Sequence, residues 1–91
     1  MSDVLVRIPT QLRAATGGAA DARVEGGTVG EVLDALYDRF DGLRDRVADG
    51  NGLRRFVNVY LGGEDIRFLA GLDTEVGDDD EVTILPAVAG G

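Results

Sequence analysis

The chain has 91 residues, 44% of them hydrophobic and 29% charged, with a net charge of −8. This describes one soluble globular domain with a modest core, and it argues against nucleic acid or an anionic membrane as a partner, because phosphate binding needs clustered cations. Cysteine and histidine are both absent, which excludes disulfides, cysteine nucleophiles, thiolate metal sites and the commonest general base.

No apolar run approaches the roughly 20 residues that span a bilayer, and no signal segment opens the chain. A cytoplasmic protein is expected. All nine basic residues are arginine and lysine is missing. Genome composition alone accounts for that, although it also bears on chemistry below.

The first element is a half-buried strand, Asp3 to Ile8. Val4, Val6 and Ile8 point one way, Leu5 and Arg7 the other. Pro9 ends it, and the stretch to Gly17-Gly18 reads as a loop or wide turn. A weaker strand follows at about Asp21 to Glu25 with Ala22 and Val24 inward, so the chain opens with an antiparallel hairpin.

Thr28-Val29-Gly30-Glu31 fits a helix-starting capping box. Behind it, Val29, Val32, Leu33, Leu36 and Phe40 recur at helical spacing, predicting a helix to about Phe40. A short second helix at Leu43 to Ala48 leads to a turn at Gly50-Asn51-Gly52.

Arg55 to Leu61 is the next strong strand, with Val57, Val59 and Leu61 on one face and Phe56, Asn58 and Tyr60 on the other. After the turn at Gly62-Gly63, Ile66 to Phe68 reads as a short returning strand, and Leu72-Asp73-Thr74 as a helical turn. A polar turn from Gly77 to Asp80 precedes the last strand, Glu81 to Leu85, whose Val82 and Ile84 face inward.

Five short strands sharing one main helix require a single mixed sheet covered on one face. Placing the first and last strands side by side and parallel gives an α+β, β-grasp (ubiquitin-like) fold. Residues 1–86 form the domain and 87–91 a flexible tail.

The residues supply no catalytic constellation. Asp78-Asp79-Asp80-Glu81 lacks the spaced ligands of a calcium loop and reads as a solvated turn. Asp34, Asp38, Asp41 and Asp45 are spaced for a charged helix face, and no glycine pair sits in a phosphate-loop motif. Two features remain. Leu5, Phe56, Tyr60, Phe68 and Leu85 form a candidate docking patch on the sheet face away from the helix. The alternative is that aromatics simply suit strands.

The second feature is the ending, Ala87, Val88, Ala89, Gly90 and Gly91. Five extended residues reach roughly 16–18 Å, and glycines without Cβ can thread a narrow channel to present a carboxylate. Directly after the last strand of a β-grasp domain, that ending is informative.

Over essentially its whole length the chain resembles the ubiquitin-like sulfur carriers of molybdopterin, thiamine and cysteine biosynthesis, the MoaD/ThiS family. The resemblance is carried by IPTQLRAATGG, TVGEVLDAL, RFVNVYLGGEDIRF and DDDEVTILPAVAGG. RFVNVY, EDIRF and VTILPAVAGG are most similar to the cysteine-forming carriers of actinobacteria.

The resemblance implies a carrier that is not itself an enzyme. An ATP-dependent E1-like enzyme would adenylate Gly91 and sulfur would convert it to a thiocarboxylate. A pyridoxal-phosphate cysteine synthase fed by O-phosphoserine would accept the sulfur, and a zinc peptidase would release cysteine. ATP, pyridoxal phosphate and zinc are then expected on partner enzymes and no cofactor on this chain, which is expected to be monomeric when free. A molybdopterin synthase small subunit and a protein modifier joined through Gly91 are the alternatives. Missing lysine fits a sulfur shuttle better than a chain-forming modifier.

Overall fold

The structure is a computed structural model that describes residues 2–49, 52–53 and 57–86. Strand β1 (Ser2–Arg7) pairs antiparallel with β2 (Asp21–Gly26), Val4 opposite Val24 and Val6 opposite Ala22. Helix α1 (Val29–Arg39) follows, then a short α2 (Leu43–Val47). A two-stranded ribbon comes next, β3 (Ala48–Asp49) with β4 (Gly52–Leu53). The chain re-enters the main sheet as β5 (Val57–Leu61), β6 (Glu64–Asp65) and β7 (Glu81–Pro86).

The main sheet has the order β2-β1-β7-β5-β6. β7 lies parallel to β1 and antiparallel to β5. This is the mixed β-grasp sheet that the alternating strands and single long helix require.

The alternation places Val4, Val6, Val59, Val82 and Ile84 on one sheet face, each at most 1% exposed. Helix α1 returns Val29, Val32, Leu33 and Leu36 into the same core. Each such side chain contributes about 1.5–3 kcal/mol by leaving water. The cap forms as a variant of the expected box. Thr28 Oγ1 accepts from the Glu31 amide at 3.2 Å, and Glu31 Oε1 reaches past Thr28 to the Gly27 amide at 2.7 Å.

Three expectations need correction. Thr10–Thr16, read as a loop, is a 3-10 helix that buries Leu12 and Thr16 and stops at Gly17, whose φ of 67° is left-handed. Tyr37 takes the buried position near the end of α1, while Phe40 is the half-buried C-cap.

Ile66–Phe68 is also a 3-10 turn rather than a strand, so β6 is only two residues long. Asp65 causes the change: its side chain accepts from the Arg67 amide at 2.9 Å, which bends the chain off the sheet.

The segment after that turn straps the first turn of α1. The Val29 amide donates to Thr74 O at 2.9 Å, and the Val76 amide to Gly27 O at 3.1 Å. Thr74 Oγ1 ties the strap internally through Gly71 O and the Ala70 amide. A Cβ on Gly30 would stand 3.1 Å from Leu72 O, so the helix approaches closely because that position has no side chain.

Candidate docking face and carrier end

Leu5, Tyr60 and Leu85 of the candidate patch lie on outward-facing positions of the sheet. On β7, Glu81, Thr83 and Leu85 alternate with the buried Val82 and Ile84, and Leu85 is 45% exposed. Register decides which apolar residues meet. Tyr60 is opposite Thr83 and Asn58 is opposite Leu85, so Tyr60 and Leu85 are diagonal neighbours on one face.

Leu5 is placed apart from them. It pairs with Glu81, and Leu85 lies four residues further along β7, about 13 Å at the rise of a strand. Arg7 stands on the Leu85 side of Leu5, its Nε 3.9 Å from Glu81 Oε1, while Arg23 Nη1, 3.3 Å from Asp3 Oδ2, lies on the other side. Exposed pairs of this kind contribute little stability, but they divide the face into an apolar end and a charged end.

Phe68 is off the sheet, in the 3-10 turn, and 82% exposed. Leu69 and Leu72, which the sequence reading did not single out, are exposed beside it in the chain at 39% and 36%. The turn carrying Phe68 is held by one clamp. Arg67 donates to Asp65 from Nε at 3.2 and 3.1 Å and from Nη2 at 2.7 Å. These bonds, the side-chain ones foremost and then that of the Arg67 amide, hold the Asp65 carboxyl below its ordinary value. Burial pulls the other way. The sequence signal was present: an aspartate two residues before the amide that it accepts, ahead of a helix-compatible run.

The acidic turn closes a loop. Asp78 Oδ1 accepts from the Asp3 amide at 3.0 Å and Asp80 Oδ2 from the Gly77 amide at 2.7 Å. Asp79 takes a left-handed φ of 69° between them. Phe56, Val88, Ala89, Gly90 and Gly91 lie outside the described residues. Pro86 is paired opposite Val57 at the end of β7, the middle strand of the sheet.

This sheet, helix and connectivity define a small ubiquitin-like protein. The ThiS family model matches residues 6–91, and the chain belongs to that family of small ubiquitin-like proteins, which are not enzymes.

The chain is 47% identical over 92 residues to the sulfur carrier protein CysO of Mycobacterium tuberculosis (strain ATCC 25618 / H37Rv). The match spans 98% of this chain and 99% of that protein. A chain in the crystal structure of the Amycolatopsis orientalis BexX/CysO complex superimposes with a TM-score of 0.90 at 49% identity, covering 97% of this chain and 99% of that one. The small archaeal modifier protein 1 of Methanosarcina acetivorans does so with a TM-score of 0.90 at 33% identity, covering 100% and 98%. Among the described residues no helix is long and apolar enough to cross a membrane.

Proposed function

We propose that this protein carries sulfur on its last residue. The single observation that supports this most is the near full-length identity to CysO sulfur carriers in a chain whose final strand is followed within five residues by Gly90-Gly91. A carboxylate is a poor electrophile at neutral pH because it is ionised. An E1-like enzyme with ATP forms a mixed anhydride at Gly91 and releases pyrophosphate. A sulfur nucleophile attacks the carbonyl carbon, the bond to the adenylate oxygen breaks, and AMP leaves behind a thiocarboxylate.

That sulfur is then delivered to a pyridoxal-phosphate cysteine synthase whose substrate is O-phosphoserine. The carrier–cysteine adduct is hydrolysed by a zinc peptidase, which restores Gly91. All three cofactors act on the partners. The chain's own part is to be recognised through the Tyr60 and Leu85 end of the sheet and to supply a slim terminus. The complex of a related carrier with BexX supports a role that works through docking.

Intact-mass spectrometry after incubation with ATP, the activating enzyme of the same organism and a sulfide source tests this reading. The expected result is a mass gain equal to replacing one oxygen by sulfur, lost when Gly91 is deleted. An unchanged mass in protein isolated from its own host would sink it. A second reading, conjugation of Gly91 to amines of other proteins, is favoured by the likeness to small archaeal modifier protein 1. Isopeptide adducts in the same spectra would mark it.

A further inference from the structure

An activated acyl group at a chain end meets its own domain at high effective concentration. Any competent nucleophile on that domain would consume it. The inventory here is short. Lysine, cysteine and histidine are absent from all 91 residues, so no side chain offers an amine, a thiol or an imidazole. The nine positive charges are guanidinium groups, which stay protonated and do not acylate. Attack by a carboxylate gives an anhydride that water returns to two acids.

Hydroxyls are the remaining class, and the fold engages most of them. Thr16 is buried with Oγ1 at 3.1 Å from both Arg13 O and Ala19 O, which share its single proton. Thr74 is buried and donates to Gly71 O at 2.7 Å. Ser2 Oγ donates to Val76 O at 3.2 Å, and Thr28 Oγ1 is the helix cap. Tyr37 is 8% exposed, with Arg44 of α2 5.3 Å over its ring. Thr10, Tyr60 and Thr83 are left, with no histidine to take a proton from them.

We propose that the folded domain is built as a one-way donor: no side chain on it can accept an acyl group from its own activated end or from that of a second copy. A side chain that takes the Gly91 carbonyl, or an electrophile that takes the sulfur on it, must then belong to another kind of protein. This extends the carrier reading and rests on it for its biological sense, and it excludes chains linked through side chains even if the modifier reading holds, leaving the α-amine, which the test blocks, as the chain's one amine. In an acceptor that had an amine, the nitrogen lone pair would bond to the Gly91 carbonyl carbon. The bond to the leaving group would break, and the ammonium proton would pass to water.

The test installs an aryl thioester at Gly91 by intein chemistry on Nα-acetylated protein, so it does not depend on recognition by an activating enzyme. At high protein concentration and alkaline pH, the thioester should decay at the rate of the same thioester on a Pro86–Gly91 peptide. The product should be hydrolysed monomer. The Arg44→Lys, Arg46→Lys double variant, altered at two exposed positions of α2, should form isopeptide-linked dimers. Loss of the aryl thiol from the wild-type without gain of water, as an internal ester or a dimer, overturns the proposal. So does a double variant that forms no adduct, because the missing lysines would then not be what protects the end. A failed sulfur-loading assay with a passed thioester assay would overturn only the carrier reading.

Discussion

Ile84 and Leu85 are adjacent on one strand and nearly identical in composition, yet one is fully buried and the other 45% exposed. The same contrast runs across the sheet: the inner face is continuous hydrocarbon under α1, the outer face a charged ladder with an apolar end at Tyr60 and Leu85. Burial on the inner face follows from alternation along each strand. On the outer face, what a residue touches depends on cross-strand register, which is a property of distant segments. One face is a stability device and the other the proposed recognition surface, and substitutions should separate the two.

The largest effect belongs to the inner face. Leu36 is fully buried between helix and sheet, so Leu36→Ala should cost about 3 kcal/mol through lost transfer energy and a cavity. Urea denaturation reads this as a lower midpoint at unchanged slope. A loss like that of an exposed leucine would mean that α1 does not anchor the core. Next is Gly26, at the end of β2, where an added Cβ would stand 2.8 Å from both the Val32 amide nitrogen and Val32 Cγ2. Gly26→Ala should therefore force the helix away from the sheet at about 2 kcal/mol, measurable in the same titration. Thr28→Ala removes the cap bond to Glu31 and should cost about 1 kcal/mol.

Tyr37 tests the inner face by pH. Burial, with a smaller push from Asp34, raises its phenol from 10.0 to about 12, while Arg44, 5.3 Å over the ring, pulls the other way. Below the ordinary phenol value both folded and unfolded chains keep the proton, so stability is unaffected there. Above it the unfolded chain ionises first, and folding stability should fall with rising pH until the folded phenol titrates near 12. Tyr37→Phe should abolish that part of the alkaline loss. Near neutral pH it should change stability by less than about 1 kcal/mol, because the hydroxyl has no protein partner among the described residues.

These effects track what the sequence could and could not reveal. β1, α1 and β7 were legible because alternation, helical spacing and the Thr28 cap are local signals that agree with one another. Thr10–Thr16 was not, since its 3-10 form follows from Leu12 and Thr16 being buried by the rest of the chain. Phe68 was misplaced because one side-chain bond from Asp65 outweighed the strand character of its neighbours. For the site, Gly90-Gly91 draws attention in the sequence by following the last strand, and it lies outside the described residues. Leu5 and Leu85 do share a face, as alternation indicated, but alternation leaves their separation along that face to register.

The smallest stability change should therefore give the sharpest functional split. Leu5→Ser and Leu85→Ser alter two leucines on the same face, and Leu85→Ser should move stability by only about 0.5 kcal/mol. If docking uses the apolar end, Leu85→Ser should weaken binding to the activating enzyme on the order of tenfold, as loss of a central interface anchor does. Leu5→Ser, beyond the Arg7–Glu81 pair, should leave binding within about twofold, the usual effect of a peripheral contact. Calorimetric titration of both variants, each shown to be folded, makes the comparison. Equal losses would mean that the enzyme covers the ion pair as well, joining two ends of the face that register has set apart.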